Sequence, residues 1–293
     1  MDLSNGLVLL SEILLGAYPL LIKLVDASLI FQIGLRMFVY TTLAVCGSLM
    51  SGGTIAWATL LTGETLATGL LNLLHVSSSY FAFDKLSAGN AMALFYTYPV
   101  WNLLGARIFF GETLPLEKLP WIALATAGAI ALAQPTTTQW SLVGVVAALV
   151  AALTETGIYL WFKSTPKEEV EKEEGPWKKM AQMFGSSGIM WLILVAAGLL
   201  FGYLGSDVFK VSGSGLSAIL LFNSLIGFGG YALRFYMIPK VSTVVFSALS
   251  FLGVVAAYGF GWFGIGEVPN MLQMGGAAAI IAANAFLVSP TNI

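Results

Sequence analysis

Apolar runs of about 20 residues recur along this chain, and they decide which solvent it can fold in. Of its 293 residues, 58% are hydrophobic and only 10% are charged. A water-soluble globule of this size needs more charged side chains to cover its surface. Runs of about 20 apolar residues match the hydrocarbon thickness of a bilayer. We therefore expect a multi-pass protein of a plasma or inner membrane, with the lipid bilayer as its solvent.

The remaining composition excludes several other classes of protein. The single cysteine, Cys46, lies in an apolar run, so a disulfide framework and a cysteine-rich metal site are both excluded. A net charge of -2 gives no reason to expect nucleic acid as a partner. The first apolar run has no basic segment before it and contains Glu12, so we interpret it as a membrane helix rather than a signal peptide. No cofactor is indicated, and pairing with a second copy of the chain stays open.

Glycine, proline and charged residues divide the apolar sequence into segments that predict an all-α membrane protein of ten transmembrane helices. The predicted helices lie near 5–22, 29–50, 64–83, 88–110, 117–134, 141–162, 180–204, 214–238, 242–263 and 270–288. Most connections are short, so we expect consecutive helices to be antiparallel neighbours. The longest polar segment, 163–179, has mixed charge and predicts a solvated cytoplasmic loop.

The stretch 82–132 returns in weaker form near the carboxyl end. Gly111-Glu112 aligns with Gly266-Glu267 at an offset of 155 residues, and other matches keep the same offset. This predicts two repeats of five helices, 1–136 and 137–293. Because five is odd, similar halves enter the membrane with opposite polarity, as in the inverted repeats of secondary transporters. We interpret each Gly-Glu pair as a helix-ending glycine and an acidic residue at the positive end of the next helix.

The distribution of lysine and arginine predicts the orientation, because these residues are retained on the cytoplasmic side of short loops. With the amino terminus inside, the cytoplasmic ends receive Arg107, Lys118, Lys163, Lys167, Lys172, Lys178, Lys179, Arg234 and Lys240, and the opposite ends receive only Lys23, Arg36, Lys85 and Lys210. We therefore expect both termini to be cytoplasmic.

Several motifs resemble a known family. They are Gly16, Pro19, Lys23, Arg36-Met37-Phe38, Tyr80-x-Ala82, the run LSAGNAMALFYTYP and Phe110-Gly111-Glu112. Together they are similar to the EamA-type ten-helix proteins of the drug/metabolite transporter superfamily. The resemblance implies a duplicated five-helix fold, a central cavity between the halves, and transport of small organic solutes by alternating access. It implies no single substrate.

A narrower resemblance covers only the first helix. The sequence LLSEILLGAYPLLIK is similar to the first helix of the small multidrug resistance proteins. In those proteins a membrane-embedded glutamate alternately binds protons and cationic drugs. The resemblance places Glu12 in that role.

Glu12 lies near the middle of the first predicted helix, on one face with Gly16, Pro19 and Lys23. The eleven residues from Glu12 to Lys23 rise roughly 16 Å along a helix, so the two cannot pair directly. A carboxylate at bilayer depth is costly unless it is paired or protonated, and intramembrane ionisable groups are functional by default. We predict that Glu12 binds protons or substrate.

Glu155 in the sixth predicted helix follows Leu-Thr as Glu12 follows Leu-Ser. The similarity predicts an equivalent proton- or substrate-binding role in the second repeat. The alternative is an ion pair with Arg234, Lys240 or Arg107 near the cytoplasmic side.

His75 lies near the centre of the third predicted helix, with Asn72 one turn earlier. Histidine titrates near neutral pH, so one hypothesis is a proton relay with a glutamate. The other is a hydrogen bond that packs two helices. No second histidine or cysteine cluster accompanies it, so we expect no metal site.

Aromatic side chains are predicted to line the cavity between the halves, together with two asparagines. The predicted lining residues are Asn72, Phe95, Tyr98, Trp101, Asn102, Tyr159 and Tyr231. Aromatic faces beside acidic groups bind organic cations or aromatic metabolites. The alternative for these aromatics is packing against lipid or at the membrane interface.

These observations predict a secondary active transporter of small organic solutes, such as amino acids, amines, or cationic or aromatic metabolites and drugs. We expect proton-coupled export by alternating access, in which proton and substrate compete for one carboxylate. Two other hypotheses stay open. An exchanger of anionic metabolites or nucleotide sugars would use Lys85, Lys240, Arg36 and Arg234. A lipid flippase or scramblase would open sideways to the bilayer. No sequence pattern of a hydrolytic site is present, so we do not expect an enzyme.

Overall fold

The computed structural model describes residues 3–53, 57–132, 141–171 and 174–288. Within these ranges the protein is helical and has no β-strand, apart from one isolated bridge between Ala27 and Val211. The α-helices are α1 Leu3–Gly16, α2 Tyr18–Leu24, α3 Leu29–Met50, α4 Gly63–Lys85, α5 Ala88–Phe95, α6 Tyr98–Phe110, α7 Leu119–Leu132, α8 Leu142–Lys163, α9 Lys167–Glu171, α10 Glu174–Leu200, α11 Gly213–Leu221, α12 Phe228–Met237, α13 Thr243–Ile265 and α14 Met271–Leu287. A π-helix, Phe222–Gly227, joins α11 to α12.

Six of the described helical segments are long and apolar enough to cross a membrane. They are Leu3–Leu24, Leu29–Met50, Leu142–Lys163, Gly175–Leu200, Gly213–Met237 and Thr243–Ile265. The helix α14 is apolar but has only 17 residues. The protein is therefore a helical membrane protein.

Two predicted helices, 5–22 and 88–110, are each divided in two. The first breaks at Ala17, between α1 and α2, and the second breaks at 96–97, between α5 and α6. A proline lies in the first turn of the helix that follows each break, Pro19 in α2 and Pro99 in α6. Proline has no N–H and its ring clashes with the carbonyl four residues earlier, so a continuous helix cannot pass through either position.

The described part of segment 163–179 is partly helical rather than a loop, but most of its charged side chains are exposed, as expected of a solvated segment. Its described part contains α9 and the first turns of α10. Lys163 donates to the carbonyl of Val241 at 2.8 Å, and Lys179 donates to the carbonyl of Trp161 at 2.7 Å. These lysines bind carbonyl oxygens near helix ends, where a cation is favoured. These two lysines thus connect the segment to the rest of the protein, whereas Lys167, Glu168 and Glu169 are exposed.

The most extensive helix contacts join the first half of the chain to the second, and consecutive helices are not the main neighbours. The pairs are α7 with α14, α4 with α8, α3 with α10, and α1 with both α12 and α13. Small residues permit this close packing. A Cβ atom added to Gly276 would lie 2.6 Å from the carbonyl oxygen of Gly128, and one added to Gly128 would lie 2.7 Å from the carbonyl oxygen of Gly276.

The repeated Gly-Glu pairs also connect the halves. Gly111 and Gly266 end α6 and α13 in the left-handed conformation, with φ of 65° and 73°. Glu267 accepts a hydrogen bond from the backbone N–H of Ala88, at the start of α5, whereas Asn270 caps the next helix, α14. The prediction that this glutamate serves the helix that follows it is wrong, because the start of α5 in the opposite half lies closer.

The contact between α7 and α14 gives a stability prediction. Gly276→Ala places a methyl group against backbone and should destabilise the protein by about 1–3 kcal/mol. Gly275→Ala is the matched control, because a Cβ atom there meets nothing within 4 Å and alanine is the better helix former. The measurement is the apparent melting temperature in detergent. Equal melting temperatures for the two variants would contradict the packing described here.

Candidate functional site

Arg234 of α12 binds carboxylates from both halves of the chain at the centre of the protein. Its Nε and Nη2 donate to the two carboxylate oxygens of Glu12 in α1, at 3.1 and 2.5 Å. Its Nη1 donates to Oε1 of Glu155 in α8, at 2.6 Å. All three side chains are at most 2% exposed. A single guanidinium therefore neutralises two acids that would otherwise be buried and uncompensated.

The Glu12 carboxylate is fully occupied by hydrogen bonds. Oε2 accepts from the hydroxyls of Tyr96 and Tyr98, at 3.0 and 3.2 Å, in addition to the arginine. Oε1 accepts from the hydroxyl of Ser250 at 3.2 Å. Every one of these bonds favours the ionised carboxylate over the protonated acid. Both oxygens of Glu12 thus hold Arg234 and the surrounding hydroxyls in place.

The Glu155 carboxylate is only half occupied. Its Oε2 has no hydrogen-bond partner within the described residues and lies 3.4 Å from Nε2 of His75. The other ring nitrogen, Nδ1, lies 3.1 Å from the carbonyl oxygen of Ala151, which fixes a hydrogen on that nitrogen. Nε2 is 3.2 Å from the Tyr231 hydroxyl. It can accept from that hydroxyl when neutral, or donate to Glu155 when protonated.

Helix breaks position these side chains. Glu12 lies one turn before the break between α1 and α2. Tyr96 and Tyr98 flank the break between α5 and α6, which turns both hydroxyls toward the same carboxylate oxygen. Arg234 follows the π-helix, a type of segment that frequently occurs at functional sites. Irregular backbone at membrane depth is tolerated only where it is buried in protein or lines a cavity.

A second arginine, Arg36 of α3, is buried beside this cluster in a cage of four tyrosine rings. The guanidinium carbon lies 4.8 Å from the ring centres of Tyr18 and Tyr231, 4.9 Å from that of Tyr40 and 5.5 Å from that of Tyr80. The hydroxyls of Tyr18 and Tyr40 are hydrogen-bonded to each other. Within the described part of the chain, Arg36 has no carboxylate partner, and its Nε and Nη2 have no hydrogen-bond partner.

A small cavity lies between the two arginines. It is lined by Leu15, Tyr18, Arg36, His75, Ser79, Phe83, Met92, Phe95, Tyr231 and Arg234. Its volume is about 10 Å³, which is room for about one water molecule. The centre of the protein is therefore closed to an organic solute in this conformation.

A much larger vestibule opens where α1 begins and α14 ends. Its volume is about 870 Å³, and its lining includes Asn5, Glu112, Lys118, Lys240 and Leu287. Seven residues of α1 separate Asn5 from Glu12, a rise of about 10 Å. The vestibule thus approaches the central charges from one end of the molecule.

The structure brings together six of the residues that the sequence singled out. Glu12, Glu155, His75, Tyr98 and Tyr231 form the charge cluster, and Phe95 lines the small cavity. The ion pair of Glu155 with Arg234 was the alternative to a functional role, and the structure contains it.

Other predicted lining residues lie elsewhere. Trp101 is 41% exposed, and it lines neither the small cavity nor the vestibule. Asn72 donates to Ser187 of α10, and Tyr159 donates to Thr243 at the start of α13; both connect helices away from the small cavity. Asn102 is buried without a hydrogen-bond partner among the described residues, and it does not line the cavity.

The sequence interpretation missed Arg234 as an interior group, because it assigned this residue to the cytoplasmic end of a helix, and Arg234 is 1% exposed. For Arg36 the sequence predicts a deeper position with an internal partner or backbone carbonyls, and this side chain is also 1% exposed. One available signal was the repeated Tyr-Pro dipeptide, Tyr18-Pro19 and Tyr98-Pro99. Each pair combines a helix break with a phenol, and the two phenols contact Arg36 and Arg234 respectively.

Comparison with known proteins supports the fold alone. No family model and no curated protein matches the sequence. Solved structures do match, among them a crystal structure of a protein with a TM-score of 0.71 and 14% sequence identity, over 97% of this chain and 96% of that chain. The two proteins share a fold along their whole length. At this identity the similarity carries no information about substrate or activity.

The shared arginine makes a specific stability prediction. Arg234→Gln leaves Glu12 and Glu155 buried without a cation, which should destabilise the protein by about 3–5 kcal/mol at neutral pH. Adding Glu12→Gln and Glu155→Gln to the same protein should recover part of that loss. Arg107→Gln, on an exposed position of α6, is the control for removing one positive charge. The measurement is the melting temperature in detergent. If Arg234→Gln and Arg107→Gln melt at the same temperature, the bridge does not contribute to the stability of the protein.

Proposed function

We propose that the protein is a secondary transporter of small organic solutes that works by alternating access and is driven by protons. The observation that carries this proposal is the buried bridge Glu12–Arg234–Glu155, which joins the two halves of the chain beside broken helices. Secondary transporters place their sites at the interface between repeats, on discontinuous helices. Intramembrane charges that have partners across such an interface mark ion and substrate pathways.

The pattern of helix contacts supports ten membrane segments arranged as two inverted repeats. In this arrangement α1–α2 corresponds to α8, α3 to α10, α4 to α11–α12, α5–α6 to α13, and α7 to α14. Equivalent elements face each other in the pairs α3–α10 and α7–α14. The contact of α4 with α8 then matches that of α12 with α1, and the contact of α5 and α6 with α8 matches that of α13 with α1. These matching pairs of contacts support a two-fold relation between the halves.

The shape of the interior supports alternating access. The centre is closed around a water-sized cavity, whereas the vestibule opens at the end where both described termini lie. Basic residues concentrate at this end even without Arg36 and Arg234, so we place it in the cytoplasm. Rocking of the halves about the bridge would extend the vestibule to the centre in one state and close it in the other.

The hydrogen-bond pattern distinguishes the roles of the two acids. Glu12 has both oxygens occupied by five donors, so it acts as the anchor of Arg234. Glu155 and His75 form the pair that takes up and releases a proton, because Oε2 and Nε2 lie 3.4 Å apart and Oε2 has no hydrogen-bond partner among the described residues. The proton site that we propose therefore spans both halves, because His75 belongs to the first half and Glu155 to the second. The sequence analysis centred this role on Glu12, with Glu155 as its equivalent in the second repeat.

The alternative functions have weaker support. Lys85 pairs with Asp84 at 2.7 Å and does not line the vestibule, whereas Lys240 does, so the two lysines do not form one shared anion site. A groove of about 500 Å³ between α3 and α10 includes Phe38 and Trp191 in its lining and is almost entirely apolar. Such a groove fits an acyl chain but gives a lipid headgroup no polar path, which disfavours a flippase.

The first test is to find a solute that binds. A panel of amino acids, amines, organic acids and nucleotide sugars is screened by melting temperature at neutral and mildly acidic pH, since a ligand that binds only the folded state raises that temperature. The solute that stabilises most is then loaded into proteoliposomes. We expect accumulation against its gradient when a pH gradient is imposed. Equal uptake with and without the protein would contradict the proposal.

Substitution of Glu155 tests the proton site separately from substrate passage. Glu155→Gln keeps a hydrogen-bonding side chain but cannot exchange a proton. We expect the variant to lose accumulation driven by a pH gradient, by about tenfold or more, while solute exchange with no gradient persists. Glu117→Gln, on an exposed position, is the control and should behave as wild type. A Glu155→Gln protein that still accumulates solute at the wild-type rate would exclude this proton site.

A further inference from the structure

Arg36 is a buried cation whose binding capacity the protein leaves unused. Its side chain is 1% exposed, and four tyrosine rings surround the guanidinium. The tyrosine rings stabilise the positive charge through their π faces, but these faces do not accept hydrogen bonds from the N–H groups that lie in the plane of the guanidinium. Buried charges are ordinarily both paired and hydrogen-bonded. Within the described residues Arg36 lacks a carboxylate, and its Nε and Nη2 make no well-aligned hydrogen bond, with only the neutral hydroxyls of Tyr80 and Tyr231 close to the guanidinium.

The two unoccupied nitrogens form a fork that is built for one chemical group. In arginine, the N–H of Nε and one N–H of Nη2 point the same way along one edge, at the spacing of two carboxylate oxygens. Arg234 shows this fork filled, since its Nε and Nη2 bind the two oxygens of Glu12. In Arg36 the same two atoms are the ones without partners. The protein thus contains one filled and one unfilled copy of the same carboxylate-binding geometry.

The unfilled fork belongs to the central cavity. Arg36 lines that cavity together with His75, Tyr231 and Arg234. Its present volume of about 10 Å³ admits about one water molecule, so a carboxylate requires the walls to separate. Tyr231 lies on α12, directly after the π-helix, and Arg36 lies on α3 in the other half. Movement of one half relative to the other therefore changes the space at the fork.

We propose that Arg36 binds the carboxylate of the transported solute, which makes the substrate a small organic acid or a zwitterion that carries a carboxylate. This inference rests on the proposed transport function and names its substrate class. The tyrosine cage provides flat apolar walls for the remainder of a small acid and hydroxyls at its rim. The hydroxyl of Tyr80, which makes no well-aligned hydrogen bond among the described residues, is available as an additional donor.

Charge balance connects this site to the proton. The buried formal charges of Glu12, Glu155, Arg36 and Arg234 sum to zero when His75 is neutral. A bound carboxylate makes the sum negative, and protonation of the His75–Glu155 pair restores neutrality. The groups that face His75 are Glu155 from α8, Arg234 and Tyr231 from α12, and Arg36 from α3. Acid and proton therefore bind together here, rather than competing for one carboxylate as the sequence alone predicted.

The test compares carboxylates with matched amides. Acetate, pyruvate, benzoate, 3-phenylpropionate and glycine are each paired with the corresponding primary amide, and binding is measured by melting temperature and by tryptophan fluorescence of the wild-type protein. An amide has the shape of the acid but offers only one acceptor oxygen and no charge. We expect at least one acid to bind about tenfold or more tightly than its amide, and more tightly at mildly acidic than at neutral pH. Acids that bind no better than their amides would overturn the inference, as would binding restricted to amines.

Substitutions locate the binding to Arg36. Arg36→Lys keeps the charge but removes the fork, and it should weaken binding of the best acid by about tenfold. Arg36→Gln should abolish it. Arg107→Lys and Arg107→Gln are the matched controls on an exposed position and should bind as wild type does. If Arg36→Gln does not fold, Arg36→Lys carries the test, and wild-type affinity in that variant would overturn the assignment.

Failure of the inference and failure of the transport function give different results. If solutes cross proteoliposome membranes but the transported ones lack a carboxylate, the transporter stands and Arg36 is not the substrate site. If acids bind at Arg36 but never cross, the carboxylate site stands and the transport function is wrong.

Discussion

The structure depends on an arginine shared by two carboxylates in a dry interior. Placing Glu12, Glu155 and Arg234 away from water is expensive, and it is offset only because the three side chains lie within hydrogen-bond distance of one another. Each acid comes from a different half of the chain, so the bridge exists only when the halves are in contact. Any motion that separates the halves has to provide these charges with new partners, either protons, water or solute. Because separation of the halves leaves buried charges that need new partners, the conformational change is linked to binding of those partners.

The helix breaks position tyrosine side chains beside each of the two buried arginines. Tyr18-Pro19 and Tyr98-Pro99 each end one helix and start another, and each places a phenol beside an arginine. The result is two guanidinium groups on either side of one small cavity. One has its fork occupied by a protein carboxylate, and the other has its fork unoccupied. That contrast is the basis of our proposal that Arg36 binds a ligand, and His75, 3.4 Å from Glu155, lines the same cavity.

Sequence alone could predict the all-helical membrane class, because length and hydropathy of a segment are local properties. It could also single out Glu12, Glu155 and His75, since an ionisable group in an apolar run stands out regardless of its partners. It could not predict that one arginine serves both acids. Helical periodicity fixes the face on which a residue lies but not which distant helix packs there. Arg234 was assigned to a cytoplasmic end because counting positive charges treats every arginine as exposed. Likewise, which side of α6 is buried depends on its packing against α8 and α13, and Trp101 is 41% exposed in that packing.

The most direct test of the central claim, that the buried charges couple solute movement to proton movement, is the internal pH of sealed proteoliposomes. A pH-sensitive dye is trapped inside, and a binding solute is added outside with no imposed pH gradient. The account predicts a change in internal pH that develops with solute entry, scales with the amount of solute transported and is absent from liposomes without protein. Solute entry with no accompanying pH change would contradict it.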